Sequence, residues 1–107
     1  GKCSVADVVR WMCEGPARVY GMQNKGSLTE GYDGDLTLVD LHTSRTITDA
    51  DTWTRVGWTP YNEMELTGWP MYTVVDGKVV HKRVAGGALR GVPMASPGSA
   101  GRALRFE

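Results

Sequence analysis

Met71-Tyr72-Thr73-Val74-Val75-Asp76-Gly77-Lys78-Val79-Val80-His81-Lys82 decides the fold class of this 107-residue chain. Two runs rich in β-branched residues flank Asp76-Gly77, and such side chains suit a pleated sheet better than a helix. Two residues between the runs favour a type I′ turn, in which both central residues take positive φ. The spacing therefore predicts a hairpin pairing Val75 with Lys78, Val74 with Val79 and Tyr72 with His81. One face then gathers Tyr72, Val74, Val79 and His81. The other mixes Met71, Thr73, Val75 and Val80 with Lys78 and Lys82. Glycine supplies 14 of the residues, about twice its usual share. That excess implies many turns and short elements, so the chain reads as mainly β with a short N-terminal helical segment.

Upstream, Leu36-Thr37-Leu38-Val39-Asp40-Leu41 is a second strand, preceded by the turn-rich Gly31-Tyr32-Asp33-Gly34-Asp35. Leu36 and Leu38 lie on one face and Val39 and Leu41 on the other, the pattern of a strand covered on both sides. A polar turn, Leu41-His42-Thr43-Ser44, separates it from a weaker strand at Arg45-Thr46-Ile47-Thr48. Residues 49–65 read as irregular.

The N-terminus follows a different period. Ser4 with Asp7 resembles a capping box, Asp standing where Glu or Gln is usual. Val5, Val8, Val9, Met12 and Cys13 follow at helical spacing as one apolar stripe. Gly15-Pro16 is expected to break this helix, and Pro16 to open a short turn through Tyr20 with Gly21 as its C′ residue. Trp11 lies off the stripe and is read as cover for a neighbouring element. So short a helix pair makes no core alone and must dock on something. Beyond Val84, the glycines, Pro93 and Ser96-Pro97-Gly98-Ser99 erase periodicity, leaving an extended tail with Leu104 and Phe106 as candidate anchors. The expected organisation is a helical segment at 1–24, a β segment at 25–85 and a tail at 86–107.

Twelve basic and twelve acidic side chains balance. No basic block offers itself to phosphates, so nucleic acid is not an expected partner. No apolar run approaches the ~20 residues that span a bilayer, and no leader pattern opens the chain. A soluble cytoplasmic protein is expected, in which Cys3 and Cys13 stay reduced, Cys13 on the buried side of the helix.

Reactive groups are sparse. His42 and His81 are the only histidines; they fall on different elements, and no His-x-His or Cys-x-x-Cys spacing occurs. Asp33 and Asp35 invite a metal or acid–base reading, but short carboxylates entering a strand more often bind turn backbone. Asp49 and Asp51 suit a helix-cap or turn role. Gly31/Gly34 and Gly86/Gly87 open no phosphate loop. Trp53, Trp58, Tyr61 and Trp69 are read as staples of an irregular loop or an interface. The inventory yields no catalytic, substrate-binding or metal-binding residue, and a free-standing enzyme using Cys13 or a histidine lacks converging partners.

The order of segments nevertheless carries a resemblance. Gly15-Pro16-Ala17-Arg18-Val19-Tyr20-Gly21 resembles the "N-P-A-R-x-x-G" helix end that follows the barrel in the amidohydrolase superfamily. Gly26-Ser27-Leu28-Thr29-Glu30-Gly31-Tyr32-Asp33-Gly34-Asp35-Leu36 is similar to that superfamily's "G-x-I-x-x-G-x-D-A-D-L", with Gly34 where Ala is usual. Gly57-Trp58-Thr59-Pro60-Tyr61, then Gly68-Trp69-Pro70, the hairpin and the terminal Gly101-Arg102-Ala103-Leu104-Arg105-Phe106-Glu107 resemble the dihydroorotases related to allantoinase and hydantoinase. The resemblance implies a parent enzyme with a (β/α)8 barrel that binds zinc and reversibly interconverts L-dihydroorotate and N-carbamoyl-L-aspartate in pyrimidine synthesis. It implies a composite β-sandwich, completed by strands from the start of the parent protein. The family's zinc ligands belong to barrel strands upstream, and none maps onto this sequence.

Two roles follow from the resemblance. In the first, the chain is the C-terminal portion of a dihydroorotase, with its own N-terminal barrel as partner and strand edges that self-associate when that barrel is missing. In the second, it belongs to an inactive dihydroorotase-like scaffold that assembles with aspartate carbamoyltransferase. The segment reads alike in both.

Overall fold

Asp76 and Gly77 adopt φ values of 50° and 74°, the two positive angles that a type I′ turn requires. A computed structural model describes residues 1–52, 54–83, 92–93 and 104–105 of the chain. Around this turn lies a four-stranded antiparallel sheet in the order β1-β2-β3-β4, formed by Leu36–Thr46, Glu65–Val75, Lys78–Lys82 and Val92–Pro93. Val75 pairs with Lys78 and Val74 with Val79, as the turn dictates. Beyond them the register slips. Thr73 faces His81, and Tyr72 faces Lys82 rather than His81. Val80 is the extra residue, and a bulge of this kind displaces every later pair by one. Lys82 Nζ consequently sits 5.7 Å from the centre of the Tyr72 ring.

β1 and β2 run longer than the sequence suggests. His42-Thr43-Ser44 is no separating turn: it belongs to a shift of register inside one eleven-residue strand. β2 likewise begins at Glu65 and passes through Gly68-Trp69-Pro70. A second shift falls between the pairs Leu38–Tyr72 and Val39–Pro70. Proline donates no ladder hydrogen bond, and its place beside an irregularity is where a strand tolerates it.

The N-terminal helix is also longer than expected. Ser4 and Asp7 close a reciprocal cap: Asp7 N–H donates to Ser4 Oγ at 3.2 Å and Ser4 N–H to Asp7 Oδ2 at 2.9 Å. The helix does not break at Gly15-Pro16. α1 (Val5–Val9) leads into a π-helical turn over Arg10–Glu14 and on into α2 (Gly15–Val19). Gly15 N–H reaches back five residues to the carbonyl of Arg10. The widened turn lets Pro16, which has no N–H, enter without the clash that a regular α-turn would impose. A side chain at position 15 would put its Cβ 2.9 Å from the Arg10 carbonyl oxygen. At the far end Met22 N–H bonds to the Ala17 carbonyl at 2.8 Å and Gly21 N–H to that of Arg18 at 3.3 Å. This is the Schellman pattern expected for glycine at C′.

What the helix and sheet do not do is cover each other. Among the described elements neither helix packs on a strand. The Val5, Val8, Val9, Met12 stripe is exposed, Met12 to 74%. Cys13 is exposed with it, against the expectation of burial, and Trp11 is exposed as well. Leu36, Leu38, Val39 and Leu41, on both faces of β1, are exposed too. Ala17 is the buried hydrophobic residue among those described. Within the tail, Val92–Pro93 pairs with β3, Leu104 is exposed, and the carbonyl of Arg105 accepts from Gln23 N–H at 3.0 Å. Trp53, Gly86-Gly87, Ser96–Ser99 and Phe106 lie outside the described residues.

Candidate functional site

The carboxylates are the groups with most chemical potential, and the structure gives several of them backbone N–H groups to hold. Lys25 Nζ stands 3.0 Å from Asp33 Oδ2 and pairs with Asp35 Oδ2 as well. Asp35 turns its other oxygen to the hairpin tip, accepting Asp76 N–H at 2.8 Å. The Gly34 carbonyl accepts Gly77 N–H at 2.9 Å, and Asp33 N–H donates to the Asn24 carbonyl at 3.0 Å. The bonds from Asp35, then from Asp33, raise the Lys25 pKa, because each stabilises the charged ammonium. This is a clip that fastens the segment after the helix to the hairpin turn. With an ammonium between them, the two carboxylates are poor candidates to receive a metal ion.

Asp40 plays a similar part inside β1. Its Oδ1 accepts His42 N–H at 2.8 Å and Thr43 N–H at 3.3 Å, while Oδ2 accepts the Thr43 hydroxyl at 2.7 Å. The strand stays ordered through its irregular stretch because this side chain takes up donors that the ladder leaves over. The bond from His42 N–H, followed by those from Thr43, holds the carboxyl below the ordinary Asp value of 3.8. For a depressed carboxyl the stabilising effect is complete above 3.8 and fades as pH falls through the lower folded value. We expect the His42 and Thr43 amide resonances to titrate together below pH 3.8. Asp40→Ala should abolish that shared transition, and its persistence in the variant would refute the assignment.

The irregular segment is held by Asp49 and Asp51. Thr48 N–H and its hydroxyl donate to Asp51 Oδ2 at 2.8 and 2.7 Å. Asp49 Oδ1 accepts Thr59 N–H at 2.9 Å, and Asp49 N–H donates to Asn62 Oδ1 at 2.9 Å. Trp58 and Tyr61 are exposed, whereas Trp69 bonds through Nε1 to the Leu66 carbonyl at 2.8 Å. His42 and His81 stay apart, on β1 and β3. Among the described residues no three His, Cys, Asp or Glu side chains meet in a way that could hold a metal ion. Sequence reading passed over Lys25 and Arg83. Neither carries a local signal: the partners of Lys25 are eight and ten residues away, and Arg83 follows its strand like any surface base.

The geometry is thus that of a module which spends its polar groups on its own backbone. A sequence model of the amidohydrolase family matches residues 1–80. The chain belongs to that family. It is 32% identical over 105 residues to the dihydroorotase of Methanothermobacter thermautotrophicus, covering 96% of this chain and 24% of that protein. It is 40% identical over 72 residues to the dihydroorotase of Deinococcus radiodurans, covering 67% and 17%. Among solved structures, L-hydantoinase from Arthrobacter aurescens superposes with a TM-score of 0.75 at 31% identity, over 89% of this chain and 20% of that one. The chain spans about a quarter or less of these relatives' length.

In this dihydroorotase-like amidohydrolase segment two of the family-like motifs meet, and one of them also meets the hairpin. Ala17, from the helix-end motif, packs against Gly26, which opens the motif leading into β1. Gly34 replaces the usual Ala where a Cβ would stand 3.0 Å from the Gly77 nitrogen. The tight approach of this hairpin turn accounts for the smaller residue.

Proposed function

We propose that this chain is the C-terminal, non-catalytic portion of a zinc-dependent dihydroorotase, and that its work is to pack against the barrel and complete a composite β-sandwich. The observation that carries the reading is β1: an edge strand of eleven residues, apolar on both faces and exposed on both. A strand of that composition is stable where further strands and a second layer cover it, and an uncovered edge invites pairing. The exposed stripe of α1 requires a cover of the same kind. Identities of 32% and 40% to two dihydroorotases, over 96% and 67% of the chain, support L-dihydroorotate as the substrate of the whole protein.

The donors described here do not fit a zinc site, and we assign the ion to the remainder of the protein. When bound there, zinc would supply an activated hydroxide. The intact protein divided ahead of residue 1 into two co-expressed polypeptides is the test. The pieces should co-purify and hydrolyse L-dihydroorotate together, while the purified chain alone turns over none and self-associates through its edges. Turnover by the chain alone, above contamination, would overturn the proposal.

A further inference from the structure

Asp76-Gly77 carries a reactivity that the hairpin itself does not use. An aspartyl residue followed by glycine is open to cyclisation, because no side chain shields the nitrogen of the second residue. In that step the Gly77 nitrogen attacks Asp76 Cγ. A carbon–nitrogen bond forms, the amide proton is lost, and a carboxyl oxygen leaves as water. The succinimide then takes up one water, at the side-chain carbonyl to restore aspartate or at the main-chain carbonyl to give isoaspartate. Nothing is oxidised or reduced. Isoaspartate routes the backbone through Cβ, and the added carbon destroys a turn that depends on two successive residues of fixed dihedrals.

Crowding does not protect the site: Gly77 is exposed, and nothing lies within 4 Å of a Cβ added to it. Conformation does. With φ of 50° at Asp76 and 74° at Gly77, the turn is type I′, which sets ψ of its first central residue to about 30°. That angle turns Asp76 Cβ almost trans to the Gly77 nitrogen across the Cα–C bond, whereas ring closure needs the two nearly eclipsed. The turn must open first. Two bonds from the strap Gly34-Asp35 oppose the opening: Gly77 N–H donates to the Gly34 carbonyl at 2.9 Å, and Asp76 N–H to Asp35 Oδ1 at 2.8 Å. Lys25 Nζ holds the other oxygen of Asp35 and stands 3.0 Å from Asp33 Oδ2. A bonded amide also surrenders its proton less readily, and cyclisation needs that proton gone.

We propose that Asp76 is a site of spontaneous isoaspartate formation, and that the clip of Lys25, Gly34 and Asp35 sets its rate by holding the turn shut. The reaction runs through local opening of the hairpin tip and does not wait for global unfolding, since the strap can leave the turn while the rest of the sheet stays paired.

The intact protein is aged at neutral pH, and isoaspartate at position 76 is quantified by peptide mass spectrometry, with the free peptide Tyr72–His81 as the unguarded reference. The protein should form it at least about tenfold more slowly than the peptide. Asp35→Ala removes the acceptor of Asp76 N–H and should raise the rate in the protein about tenfold, the effect on an opening equilibrium of losing a hydrogen bond to a charged group. Asp35→Asn keeps an acceptor and loses only the charge that Lys25 pairs with; it is the milder variant and should raise the rate several-fold. Asp40→Ala, which loosens β1 away from the turn, should leave the rate unchanged. Equal rates in protein and peptide would overturn the proposal, as would equal rates in the native protein and both Asp35 variants. An acceleration by Asp40→Ala matching that of Asp35→Ala would tie the reaction to overall stability and overturn it too. The readout is a modification at one residue, so it stands or falls independently of dihydroorotate turnover.

Discussion

Gly26→Ala is expected to destabilise the chain by about 2–4 kcal/mol, a large share of the stability of so small a domain. Two effects add. Gly26 has φ +87°, a conformation that side chains with a Cβ avoid. An added Cβ would also stand 2.6 Å from Ala17 Cβ and 2.9 Å from the Cys13 carbonyl oxygen. Neither neighbour is the flexible end of a long side chain, so relief requires the helix to move off the segment that leads into β1. Equilibrium urea unfolding measures the cost. Gly31→Ala is the matched control: its φ is +86°, but nothing lies within 4 Å of the added carbon. It should cost about 1–2 kcal/mol, the backbone part alone. Equal losses for the two variants would show that the contact with Ala17 contributes nothing.

Asp35→Ala should remove about 1–2 kcal/mol, allowing for solvent around the partly exposed pair. It deletes the bond to Lys25 and leaves Asp76 N–H without its acceptor at the hairpin tip. Asp35→Asn separates the two, since its amide oxygen can still accept from Asp76 while the charge is gone. The pH dependence gives an independent check. Lys25 has its folded pKa raised above 10.5, chiefly by Asp35. Its contribution is therefore fully present below pH 10.5 and is lost as pH rises through the folded value. A thermal midpoint that falls on that alkaline side in the native chain, and falls less in both variants, is the expected result. An unchanged alkaline limb in Asp35→Ala would show that the clip is not coupled to folding.

The sequence was most legible where one local rule decides the structure. Asp76-Gly77 names its own turn because few residues accept two successive positive φ values. Ser4 and Gly21 mark the ends of the helical segment for the same reason, each meeting orphan backbone groups within a turn of itself. The bulge at Val80, the long irregular stretch of β1 and the π-turn before Pro16 left no trace in periodicity. Each inserts or absorbs residues without altering composition, so alternation on either side still looks regular. Lys25 was invisible because a cation acquires meaning from carboxylates that folding brings to it.

Taken alone, the residues of this chain determined that it is mainly β, where its hairpin turns and how its helix is capped. Those are matters of backbone preference and of spacing, which operate over a few residues. Register, the clip that joins Lys25 to the hairpin, the exposure of both faces of β1 and the burial of Arg83 were decided by the tertiary structure. They depend on which surfaces meet across dozens of residues, and apolar or charged side chains look the same in sequence whether or not anything covers them.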